Sequence, residues 1–226
     1  MNKLQLLKTE IEKIPEKRSR ANLVGVLARY NDQTNKSFEV LTQTRNSLDF
    51  VLQVSSDINI ETVRNKIEQT AKTSHRLRKR LSEDIEKIKS ADDKFIDIKN
   101  TADSASKTLR EKWQLFLKDK IETYEKIVEA ASGAGLSGSD TLAQTLNKLC
   151  AKLDSPPKSE EEATKIAEAL NNLSGSIESL GLKGKVGDFL TAAAAGNATA
   201  QMLLQEEVQE FIEQNNLWSA FSIKLG

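Results

Sequence analysis

Residues 72–81 read KTSHRLRKRL and hold five cations, Lys72, Arg76, Arg78, Lys79 and Arg80, beside the chain's one histidine, His75. Cations at helical spacing can follow a phosphate backbone or meet an acidic protein surface. They can also form a plain solvated face. The phosphate reading lacks its usual companions, because no aromatic interleaves the run to stack a base and no recognised nucleic-acid motif surrounds it. His75 has no nearby His, Cys or spaced carboxylate pair, so a metal bound there would lack ligands. The Glu-x-x-His pattern of di-iron bundles fails as well, since Lys72 stands where the glutamate is needed.

Nucleophilic chemistry has one candidate, Cys150. It sits in an apolar stripe without a basic neighbour, which suits a structural thiol better than a thiolate. The glycines and lysines of GLKGKVG, residues 181–187, lack the preceding strand and the Gly-Lys-Ser/Thr ending of a phosphate loop. Near the C-terminus Glu206, Glu207, Glu210 and Glu213 cluster in QEEVQEFIEQNN. That charge would repel phosphates and suits an acidic protein-docking face. No catalytic, cofactor-binding or metal constellation emerges, and the expectation is a protein that is not an enzyme.

The elements that carry these residues read as helices. Charged residues make up 29%, aromatics 5%, and Gly and Pro together number only 13 of 226. This profile fits long helices and predicts almost no sheet. Between Gly25 and Gly133 there is neither glycine nor proline. From Ile60 the apolar positions step by three and four through Val63, Ile67, Leu77, Leu81, Ile88, Phe95 and Ile98 to Leu109, with polar Thr70, Ser74 and Asp84 interspersed. That is a coiled-coil seam of about seven heptads.

Upstream, Val24, Leu27, Asn31, Thr34, Phe38, Leu41, Arg45, Leu48 and Leu52 follow the same rule, and SSDIN at 55–59 offers turn and cap residues. An antiparallel hairpin follows, in which paired positions sum to 115: Leu52 with Val63, Leu48 with Ile67, Phe38 with Leu77, Leu27 with Ile88. Asn31 opposite Asp84 and Arg45 opposite Thr70 form polar layers that would set register. After a one-residue slip the pairing resumes as Ala21 with Phe95, Arg18 with Ile98, Ile14 with Ala102, Ile11 with Ala105 and Leu7 with Leu109. The paired arms would run roughly 70 Å at 1.5 Å per residue. Pro15 predicts a kink or break in the first arm, and SADD at 90–93 could cap a fresh helix start in the second. In this register the basic run faces TNKSFEVLTQ, residues 34–43, whose one acid is Glu39.

The expected domains are thus an elongated helical hairpin over 1–132, with arms at about 3–54 and 60–131, and a compact helical lobe over 139–226. The glycine-rich stretch ASGAGLSGSD, residues 131–140, joins them. In the lobe, Ser139 and Asp140 should cap a helix bearing Leu142, Leu146, Leu149, Cys150 and Leu153. Ser159 and Glu162 form a capping box for the next helix, and three short helical pieces follow. The fold class is therefore all-α.

Residues 1–90 hold 18 Lys and Arg against 12 Asp and Glu, whereas 91–226 hold 15 against 21. A basic end and an acidic end suit two different partners, unless folding cancels them. The lone cysteine excludes an internal disulfide, the N-terminal MNKLQLLKTE has no signal-peptide pattern, and no apolar run reaches the roughly 20 residues of a membrane span. A reduced cytoplasmic setting is expected. The resulting expectation is a non-enzymatic adaptor or scaffold in a multi-subunit assembly, able also to self-associate, without cofactor. A nucleic-acid accessory acting through 72–80 is the alternative. A membrane-active helical hairpin is a second alternative, which the charge of its arms opposes.

Overall fold

The structure is a computed structural model that describes residues 3–83 and 91–221, without the side chains of 3–11, 16, 81–83 and 92. It is all-α: among the described residues there is no strand. The helices are α1 (Lys3–Val54), α2 (Glu61–Glu83), α3 (Asp92–Gly133), α4 (Ser139–Cys150), α5 (Glu160–Ser179), α6 (Lys185–Ala194), α7 (Ala200–Leu203) and α8 (Glu206–Gln214), followed by a 3₁₀ turn at Trp218–Ala220. The chain divides into two compact units. The first comprises 1–45 and 60–108, the second 46–59 and 109–226.

The first unit is a three-stranded bundle of helix segments from α1, α2 and α3. The Lys66 ammonium donates to Ser104 Oγ at 2.8 Å and Thr108 Oγ1 at 2.7 Å. Leu77, Phe95 and Ile98 are buried in one cluster with Tyr30 and Ala91. Contacts joining 66 to 104 and 108, and 77 to 95 and 98, make α3 antiparallel to α2. Tyr30 stacks on Phe95 with ring centroids 4.1 Å apart and planes within 4°. Further along, Gln33, Ser37 and Val40 share a cleft with Lys99 and Asp103. In this unit α1 and α3 therefore run parallel, and α2 returns between them in direction.

This arrangement corrects the register beyond the first turn. The fresh helix start near 90–93 is real: Lys94 and Phe95 N–H groups bond the Ala91 carbonyl at 2.9 and 3.1 Å. The second arm does not continue past it in the same direction. Phe95 meets Tyr30 where Ala21 was expected, and Ala21, Arg18 and Ile14 are exposed. The expected partners at Asp84 and Ile88, and the side chains of Leu7, Ile11 and Leu81, lie outside the described residues.

A helix with two neighbours buries a wider stripe than a hairpin arm does. On α1 the expected seam positions Leu27, Thr34, Leu41 and Leu48 are buried or half-buried, but Val24 is 64% exposed and Phe38 43%, and Asn31 and Arg45 are also exposed. The other buried row is displaced by one residue: Tyr30, Ser37, Thr44 and Val51, an unbroken heptad. Ser37 and Thr44 tolerate burial because each hydroxyl donates to a carbonyl one turn back, Gln33 O at 3.0 Å and Val40 O at 2.7 Å. Thr70 on α2 does the same to Lys66 O at 2.8 Å. One heptad on from the Tyr30, Leu77 and Phe95 level, Ser37, Thr70 and Ala102 are all buried. Three small side chains at one level let three helices approach closely. α1 is continuous through Pro15, whose position is exposed. The expected interruption does not occur, because at a solvated position water can take up the acceptor that proline leaves unpaired.

The second unit takes in the latter part of α3 with the C-terminal helices, so the division of the chain differs from a boundary at 131–140. The reason lies in the wide stripe after Leu109. Trp113 is fully buried and its Nε1–H donates to Lys152 O at 2.9 Å, and Gln114 Nε2 donates to Asp154 Oδ1 at 3.0 Å. α4 packs on α5, and α6 on α8.

Left-handed residues close α3, α5 and α8 in the same manner. Gly135 (φ 73°), Gly181 (φ 67°) and Asn216 (φ 53°) each precede a buried leucine, Leu136, Leu182 or Leu217. The leucine N–H reaches back to Ala131, Ile177 or Ile212 O at 2.9–3.0 Å. This is the Schellman closure with its apolar seal. The Ser159 cap forms, with Glu162 N–H donating to Ser159 Oγ at 3.2 Å, but the reciprocal bond of a capping box is shifted by one residue: Glu162 Oε2 accepts from the N–H of Lys158, before the cap, at 2.9 Å. At α4 the cap is Gly138, in the left-handed region, and Ser139 is buried as the first helical residue with no side-chain cap bond. Ser139 is therefore not the expected cap.

Candidate functional site

The basic run occupies the middle and end of α2, and the bundle sorts its members onto different faces. Lys72 is exposed and paired one turn back with Glu68 at 3.3 Å. An exposed pair of this kind contributes little. Arg76, Lys79 and Arg80 line a cleft of about 480 Å³ to which α3 adds Lys94, with Thr73 and the buried Leu77 completing the walls. Lys94 also contacts Asp97 at 3.4 Å. Among the described residues no acidic side chain lines this cleft, and Leu77 forms its apolar floor.

Arg78 lies on another flank. With His75 it borders a larger groove of about 540 Å³, whose walls include Phe38, Leu77, Phe95 and Ile98. Lys94 escaped the sequence reading because its proximity depends on the reversal of α3 against α2. The signal available was SADD, which marks the helix start but not the direction of the next helix.

The acidic cluster sits on α8. Val208, Phe211 and Ile212 are buried on one side, and Glu206, Glu207, Glu210 and Glu213 are exposed. Glu207 Oε1 accepts from the Lys185 ammonium at 2.9 Å, so part of the charge is offset by α6. Glu206, Glu210 and Glu213 step by four and three and share a face. The basic run belongs to the first unit and the acidic face to the second.

Cys150 ends α4 and is half-buried. Burial pushes its thiol above the ordinary range, and the Glu125 carboxylate pushes further in the same direction. Both effects disfavour the thiolate that a nucleophile needs. Among the described residues no three His, Cys, Asp or Glu side chains are placed to hold a metal ion. No described helix is long and apolar enough to cross a membrane. The chain matches no protein-family model, and no curated protein or solved structure matches it either.

Proposed function

We propose that the protein is a non-enzymatic adaptor or scaffold that docks an acidic protein surface on the α2–α3 cleft. The carrying observation is the convergence of Arg76, Lys79 and Arg80 from α2 with Lys94 from α3 around the buried Leu77. Cations from two helices around an apolar floor suit a compact acidic protein patch with an apolar anchor. A nucleic acid would be tracked along one extended line, with rings to stack unpaired bases. The α8 face of Glu206, Glu210 and Glu213 supplies a second docking surface, of opposite sign. The cytoplasmic setting belongs to the same proposal, supported by a half-buried Cys150 retained as a thiol.

The test is site-specific photo-crosslinking in the native host from position 73, which lines the cleft beside the cations, with Lys165 on α5 as the exposed control position. One acidic protein should crosslink from 73 and be lost when Arg76, Arg80 and Lys94 are changed to Glu together. Retardation of duplex DNA by the purified protein, weakening steeply with salt and abolished by the same substitutions, would replace this reading with the nucleic-acid one.

A further inference from the structure

The second groove on the first unit has features that docking of an acidic protein does not use. We propose that it binds a small amphiphilic carboxylic acid, with the carboxylate held by Arg78 and Ser74 and the apolar body laid along Tyr30, Leu77, Phe95 and Ile98.

Three observations carry this. The groove encloses about 540 Å³ between α1, α2 and α3, and its inner walls are apolar and aromatic. Small-molecule sites have this size and this lining, with few polar groups to fix orientation. The second observation is a contrast in hydroxyl bonding. Ser37, Thr44, Thr70, Thr101 and Thr108 in the same unit all donate to a carbonyl one turn back. Thr34 and Ser74, which both line the groove, do not: their oxygens are shielded and have no hydrogen-bond partner. Buried hydroxyls without a partner are uncommon and call for one. Third, the charge at the rim has one sign. Among the described residues Arg78 makes no ion pair and no acid lines the groove.

These features fit one ligand class. Ser74 and Arg78 are one turn apart on α2 and share a face, so a carboxylate held by the guanidinium lies beside Ser74, whose hydroxyl donates to it once the side chain turns from its shielded position into the groove. Charge-assisted contacts of this kind are the strong ones. Thr34 faces the same groove from α1 and offers a further donor. The apolar body then covers the Tyr30–Phe95 pair, and the half-exposed Phe38 ring stands at the rim.

The probe is decanoate, titrated calorimetrically below its micelle concentration into the full chain, with decan-1-ol as the neutral control. Saturable one-to-one binding of decanoate is expected. Arg78→Leu should weaken decanoate by roughly tenfold or more, the worth of one charge-assisted contact, and leave decan-1-ol unchanged. Ser74→Leu fills the groove and should abolish both, with the helical circular dichroism retained. The triple reversal at 76, 80 and 94 should leave decanoate binding intact, which separates this site from the proposed protein-docking cleft. Absence of saturable decanoate binding, or equal affinity in the Arg78→Leu protein, would overturn the proposal.

Discussion

The Tyr30–Phe95 stack reports on the parallel placement of α1 and α3, and a double-mutant cycle measures it. Both rings are nearly inaccessible, at 4% and 6%, with centroids 4.1 Å apart. A buried aromatic covers about 150–250 Å², and at about 25 cal/mol per Å² its complete removal costs about 4–6 kcal/mol. That approaches the 5–15 kcal/mol typical of a whole domain, so alanine would report only unfolding. Leucine keeps most of the apolar burial and removes the ring pairing. Tyr30→Leu and Phe95→Leu should each cost about 1–2 kcal/mol, and the double variant should fall short of additivity by about 0.5–1.5 kcal/mol. The assay is urea unfolding followed by circular dichroism, fitting the transition that Tyr30→Leu moves. In the antiparallel register of Ala21 with Phe95, Tyr30 would lie about 13 Å along the arm from Phe95. The two substitutions would then add within about 0.3–0.5 kcal/mol. Additivity of that kind would refute the three-helix arrangement.

Other perturbations test the second unit. Gly187 is buried, and a Cβ there would collide with the Leu182 carbonyl oxygen, whereas the exposed Gly175 of α5 has open space around it. Gly187→Ala should cost about 1–3 kcal/mol and Gly175→Ala should stabilise by about 0.5–1 kcal/mol, both read from urea midpoints. Trp113→Phe keeps the ring burial but leaves Lys152 O without its donor, and should cost about 1–3 kcal/mol in the same assay. The Lys158 N–H, then Lys152, holds the Glu162 carboxyl below its usual range. A depressed carboxylate stabilises fully above its unfolded value of about 4.3 and loses that contribution as pH falls through the folded value. The thermal midpoint difference between wild type and Glu162→Gln should therefore be largest near neutrality and shrink below about pH 4.3. A constant difference would show that the cap carries no charge-dependent stability.

Much of the local structure was legible in single residues. Ser159 and Glu162 announced the start of α5, and SADD the start of α3. The closures at Gly135–Leu136 and Gly181–Leu182 emerged only in the structure, because the left-handed residue lets the next N–H turn back to the helix. Heptad spacing found Leu27, Thr34, Leu41 and Leu48. It placed Thr70 in the seam but missed Ser37 and Thr44, since hydroxyls that satisfy themselves on their own helix behave as small apolar groups once buried, and a polarity pattern cannot show that. At the candidate site the five cations were evident, but Lys94 and the grouping of Arg80 with Arg76 and Lys79 were not.

The sequence by itself determined the class: with so few glycines and prolines, and apolar steps of three and four, the chain can satisfy its backbone only as helices. It could not determine the direction of α3, because a seam of period 3.5 pairs comparably well with a parallel or an antiparallel neighbour when large residues can face small ones in either register. Tertiary packing decided it, through one stacked pair and one ammonium shared by two hydroxyls. That reversal brought Lys94 to the basic cleft and closed a groove over Thr34 and Ser74. The reason is geometric: a third helix adds a second contact face, and which residues share a level depends on where the chain turns back.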